Sequence, residues 1–147
     1  MKYFLATDHA GLGVRDFILE YFSSRNLEIT DLSPNGKEKV DYPDYAKKVC
    51  LEVLKSPKHR GILVCGSGIG MSISANRFGG IRAALCTDAY MAKVTRAHND
   101  ANVLCLGERV SGLGEIESIL ESFLQTDFEG DRHLKRIQKI EEVVRED

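Results

Sequence analysis

Residues 1–147 read as an α/β chain: a doubly wound sheet of five parallel strands with helices on both faces, followed by a C-terminal helix. Three observations predict it. Short apolar runs alternate with segments whose apolar residues recur at helical spacing. The runs are apolar at consecutive rather than alternate positions, as strands covered on both faces must be. The length is that of one ordinary domain, so the repeated strand–helix units share one sheet and close through right-handed crossovers.

The elements follow in order. "YFLAT" (3–7) is the first strand, and Val14, Phe17, Ile18, Tyr21 and Phe22 then share one face of a helix. "LEITDL" (27–32) is the second strand; the polar "SPNGKEKVDYPDY" (33–45) is the one long loop, and Tyr45, Val49 and Val53 start the next helical face. "GILVC" (61–65) is the third strand, ending in a cysteine, three alternate glycines and a new helical pattern. "RAALC" (82–86) and "NVLCL" (102–106) are the fourth and fifth, the latter followed by a helix with Ile116, Ile119, Leu120 and Phe123 on one side. The final segment (130–147) is a mixed-charge helix whose narrow stripe of Leu134, Ile137, Ile140 and Val144 suits packing on a partner subunit. No repeat or linker divides this Rossmann-like series, so a single domain spanning 1–147 is expected.

Composition narrows the partners. Twenty Lys and Arg against 22 Asp and Glu leave a formal charge of −2, with short charge runs, which argues against a nucleic-acid or membrane surface and for a small ligand. Asp8 and His9 arrive before any signal-type apolar segment forms, and no run approaches the ~20 apolar residues of a membrane span, so a soluble, cytoplasmic protein is expected. The four cysteines, Cys50, Cys65, Cys86 and Cys105, include no C-x-x-C pair and point neither to zinc nor to a disulfide framework.

Ligands of open α/β sheets bind beyond the strand C-termini. There the sequence offers Asp8-His9, Cys65 with its glycines and Thr87-Asp88, and "RAHND" (96–100) precedes the fifth strand, so an acid, imidazoles, a thiol and backbone amides are expected to converge. The glycine segment does not fit a dinucleotide loop, which wants G-x-G-x-x-G, nor a P-loop, which wants Gly-Lys-Ser/Thr. It reads as a nest of N–H donors from residues 66–70, reinforced by the Ser67 hydroxyl and a helix start, that would hold an oxyanion. Cys50, Cys86 and Cys105 read as buried small hydrophobes. Cys65 faces a helix N-terminus, where a thiol pKa is lowered from ~8.5 and the sulfur becomes a usable base or nucleophile. His9 and His98 are either structural histidines or acid/base groups, and Asp8 either caps the first helix or meets the ligand. Arg132 and Arg136, at i and i+4, share a helix face that is a solvated charge stripe or an anion site.

Five separated motifs, "DHAG", "DYPDYA", "CGSGIGMSISANRFGGIRAA", "RAHNDANVLCLGER" and "GDRHLKRI", closely resemble the ribose-5-phosphate isomerase type B family, which also contains galactose-6-phosphate isomerase subunits. The resemblance implies an aldose–ketose isomerase of the pentose phosphate pathway, interconverting ribose 5-phosphate and ribulose 5-phosphate without metal or organic cofactor. It makes Cys65 the base moving a proton between C1 and C2, with Gly66, Ser67, Gly68, Ile69 and Gly70 stabilising the enediolate. His98 would assist opening of the furanose ring. Asp8, His9, Tyr42 and Asn99 would hold sugar hydroxyls, and Arg109, Arg132 and Arg136 the phosphate. It also implies a homodimer or dimer of dimers with sites shared between subunits.

Two positions depart from the common pattern. Ser67 stands where many relatives have Thr, and Met71 where some relatives carry a Glu base; Met71 cannot act so, and Cys65 is present. The competing readings are an isomerase of a six-carbon aldose phosphate such as allose 6-phosphate, one half of a galactose-6-phosphate isomerase, and a non-catalytic sugar-phosphate-binding module. Because subunits of the galactose enzyme divide the catalytic residues, the presence of both Cys65 and His98 favours a self-sufficient homo-oligomer.

Overall fold

A computed structural model describes residues 1–144 and shows one five-stranded, all-parallel sheet in the order β2-β1-β3-β5-β4. The strands are β1 (Lys2–Thr7), β2 (Thr30–Asp31), β3 (His59–Cys65), β4 (Ala83–Leu85) and β5 (Val103–Gly107); the helices are α1 (Leu12–Ser24), α2 (Tyr42–Val53), α3 (Ile69–Ala75), α4 (Ala89–Asn99), α5 (Leu113–Gln125) and α6 (Arg132–Val144). Among the described residues no helix is long and apolar enough to cross a membrane.

Winding direction decides which face each helix covers. The chain steps one way from β1 to β2 and from β4 to β5, and the other way from β2 to β3 and from β3 to β4. Right-handed crossovers therefore place α1 and α4 on one face and α2 and α3 on the other. The two cores agree. Val14, Ile18 and Phe22 of α1, Ala92 of α4 and Ile116, Ile119 and Leu120 of α5 pack on Leu5, Ile62, Val64, Leu104 and Leu106. Ala46, Val49 and Cys50 of α2 with Met71 and Ala75 of α3 pack on Phe4, Ala6, Leu63, Cys65, Val103 and Cys105. Alternate residues of β1, β3 and β5 serve opposite cores, which is why these strands are apolar throughout.

β2 is shorter than the expected 27–32 because the chain is still closing α1: the Leu27 N–H donates to the Phe22 carbonyl at 2.9 Å. Only beyond that closure do Thr30 and Asp31 pair with β1. The stripe of α6 is divided: Ile137 is buried, while Leu134 and Ile140 are about half exposed, and the Val144 side chain lies outside the described residues. The helix is clamped by Glu141, which accepts from the Gly80 N–H at 3.0 Å and pairs with Arg82 at 3.1 Å.

Candidate active site

The winding reverses between β1 and β3, neighbours whose following segments leave on opposite faces. Such a switch point opens a crevice at the strand C-termini. Here it is a cleft of about 560 Å³ whose lining includes Asp8, His9, Tyr42, Cys65, Gly66, Ser67, Ile69, Gly70 and Arg109.

Each wall is fixed by a specific contact. The Asp8 carboxylate accepts from the Ala10 N–H at 2.8 Å and so braces the β1–α1 turn. It does not cap α1, whose N-cap position is Gly11; the capping carboxylate is Glu108, which follows β5 and accepts from the Val14 N–H at 2.7 Å. The His9 Nδ1 accepts from the Val40 N–H at 3.2 Å, leaving the ring proton on Nε2 and tying the long loop to the cleft. Tyr42, the first residue of α2, lies with its ring over Gly70, where a β-carbon would come within 2.6 Å of it; only glycine permits that approach.

Cys65 ends β3, is buried to 5% exposure and lines the cleft. The Gly68 N–H donates to its Sγ at 3.2 Å. That geometry requires the chain to turn back sharply, and Gly68 does so at φ +79°, in the left-handed region that favours glycine. The other thiols are of another kind: burial pushes Cys50 and Cys86 up to about 12, and Cys105, fully enclosed, well above its ordinary value.

The expected bed of amides from 66 to 70 is smaller than the spacing implies. Gly68 is spent on the Cys65 sulfur and Ile69 on the Ser67 hydroxyl oxygen, at 3.2 Å. The N–H groups of Gly66, Ser67 and Gly70 donate to no protein acceptor among the described residues. Ser67, having accepted from Ile69, keeps its hydroxyl proton to donate. Arg109 forms no ion pair among the described residues, and its guanidinium lies against Gly66.

The expected convergence of all strand-end groups does not occur within one chain. Asp88 is occupied as the α4 N-cap, accepting from the Met91 N–H at 2.8 Å. His98 and Asn99 end α4, which runs antiparallel to the strands; its 11 residues carry them about 16 Å along the sheet, to the edge opposite Cys65. There His98 stacks on His133 of α6 with centroids 4.3 Å apart, and Glu129 lies 4.0 Å from His98 and 3.6 Å from His133. Arg132 and Arg136 continue this region, lining a groove with Lys135 and Lys139. Each chain thus presents a thiol-and-amide cleft at one edge and a histidine-and-arginine surface at the other.

Periodicity does not indicate Glu108 or the pairing of His133 with His98. The first is a cap supplied from 94 residues away, invisible to local pattern. The second sits within "GDRHLKRI", and only the docking of α6 brings it to α4. Replacing Glu108 with Ala is expected to cost about 1 kcal/mol of stability, as lost helix caps do. Urea unfolding of this variant beside Glu108→Gln measures the loss.

A doubly wound sheet with a thiol beside open backbone donors at its switch point defines an α/β protein of the small-ligand class, suited to a developing oxyanion. The chain belongs to the Ribose/Galactose Isomerase family, whose model matches residues 3–140. It is 41% identical over 133 residues to ribose-5-phosphate isomerase B of Escherichia coli (strain K12), covering 90% of this chain and 89% of that protein. It superimposes on ribose-5-phosphate isomerase B of Clostridium thermocellum with a TM-score of 0.93, at 45% identity, covering 99% and 98% of the two chains. The corresponding Mycoplasma genitalium enzyme, solved with bound ribulose-5-phosphate, gives a TM-score of 0.94 at 38% identity, covering 99% and 97%.

Proposed function

We propose that this chain is a ribose-5-phosphate isomerase acting through an enediolate, with residues 1–147 working as one sugar-phosphate isomerase domain in the cytoplasm. The observation that carries the reading is the Cys65 sulfur set beside the unspent N–H groups of Gly66, Ser67 and Gly70 in the switch-point cleft of a family member. Proton abstraction next to a carbonyl needs a base and a preorganised oxyanion site, and both are here. In the open-chain aldose the Cys65 thiolate takes the C2 proton and returns it to C1, while the hydroxyl proton passes from O2 to O1. Negative charge developing on oxygen meets the three amides and the Ser67 hydroxyl. Removing one such donor typically costs about 3 kcal/mol of barrier.

Asp8, His9 and Tyr42 line the same cleft and are suited to the sugar hydroxyls, with Arg109 as its cation. The remaining expected residues, His98, Asn99, Arg132 and Arg136, stand at the opposite edge of the sheet. Their separation from Cys65 supports a homodimer in which the partner supplies ring opening and most of the phosphate clamp.

A coupled assay of metal-free protein on a panel of five- and six-carbon aldose phosphates tests the reading: ribose 5-phosphate is expected to turn over best, and turnover of none would overturn it. Arg136→Ala is expected to raise KM for ribose 5-phosphate about 10- to 100-fold, from the ~1.5–3 kcal/mol carried by hydrogen bonds to a charged group, with Lys an imperfect substitute. Steady-state kinetics with inorganic phosphate as competitor reads the loss.

A further inference from the structure

We propose that His98, Glu129 and His133 form a binding site for a zinc-class divalent transition ion, and that filling it takes His98 out of the reaction. The second clause rests on the ring-opening role proposed above; the first does not. One ligand atom from each residue lies within 4.8 Å of the others. The decisive group is His133. It is only 5% exposed, yet its Nε2 has no hydrogen-bond partner and faces the Glu129 carboxylate at 3.6 Å, beyond hydrogen-bond range. An enclosed polar atom left unpaired is unfavourable, and coordination would satisfy it.

The donor set selects the ion. Two imidazoles and a carboxylate, with a fourth position open to water, are a zinc set, whereas Mg²⁺ and Ca²⁺ ask for oxygens alone. Ligand bonds of about 2.0–2.2 Å require the three atoms to draw closer together. The near-parallel rings, 15° apart, cannot both aim a lone pair at one ion, so one must turn. His98 and Glu129 are the members free to move, with side chains 41% and 49% exposed, while buried His133 stays fixed. Arg132, 3.9 Å from Glu129, is the competing cation that the ion would displace.

Full-length protein stripped by chelation is titrated with Zn²⁺, followed by calorimetry, and with Co²⁺, followed by its visible d–d absorption. One ion per chain is expected. His133→Gln and Glu129→Gln should each weaken binding by at least about tenfold, since even outer-shell partners of ligating histidines are worth about 10–100-fold. No binding, or equal binding by wild type and both variants, overturns the site; Glu129→Gln, at a half-exposed position, keeps the test open if His133→Gln fails to fold. Zn²⁺ is further expected to suppress turnover of ribose 5-phosphate reversibly, EDTA restoring it, and to do so weakly in Glu129→Gln. Tight binding with undiminished turnover would uphold the ion site and overturn the part assigned to His98. A protein that turns over no aldose phosphate would sink the isomerase reading while the binding result still decides the site.

Discussion

Cys65→Ala is expected to lower kcat for ribose 5-phosphate by about 10²–10⁴-fold or more, the range supplied by a positioned general base. The fold should survive, because the change removes one sulfur from a chain whose amide donors are backbone and whose cation, Arg109, belongs to another segment. Product binding should therefore stay near normal in the inactive variant, separating loss of chemistry from loss of the site. Iodoacetamide supplies a matched test. Burial pushes Cys50 and Cys86 up to about 12 and Cys105 well above its ordinary value, so alkylation at neutral pH should spare these three, and inactivation that substrate blocks should map to Cys65, which lines the cleft. Near-normal kcat in Cys65→Ala rejects the sulfur as base.

The second large effect is recovery of activity on mixing two inactive proteins. Cys65 and His98 occupy opposite edges of the sheet, so a site containing both draws them from two chains. In a dimer formed from Cys65→Ala and His98→Ala subunits, one site lacks both residues and the other regains both. Random pairing makes half of the dimers hybrid, and each hybrid has one competent site in two, so about a quarter of wild-type activity is expected after full subunit exchange. Exchange is followed independently by mass spectrometry of differently tagged chains. Complete exchange with no recovered activity would place both residues in one chain's site.

Much of this arrangement is legible in the amino-acid sequence, for identifiable reasons. Strands buried on both faces leave continuous apolar runs, which is why β1, β3 and β5 stand out, whereas β2, reduced to Thr30–Asp31, leaves almost no pattern of its own. The place of Cys65 in the cleft is legible because the last residue of a strand before alternate glycines must lie at the carboxyl edge of a parallel sheet. The separation of His98 from Cys65 is less so: periodicity reports which face a helix buries but not which edge of the sheet its end reaches. Direction supplies that, since a crossover helix returns its C-terminus to where the strands begin. The open amides could not be counted from spacing, because Gly68 and Ile69 are spent by contacts that depend on the turn itself.

The attachment of α6 has a consequence for how the molecule comes apart. Its ties to the rest run chiefly through Ile137, the stack of His133 on His98, and Glu141 gripping Arg82 and Gly80. Leu134 and Ile140 of its apolar stripe remain about half exposed. Helices held this lightly open below the global unfolding free energy, and a partner that covers the stripe raises their opening cost by mass action. On the proposed phosphate-clamp role of Arg132 and Arg136, opening of α6 would remove them from the substrate before the sheet melts. Warmed or diluted enzyme should fall silent while its far-ultraviolet ellipticity is still largely intact, at a temperature that climbs with protein concentration.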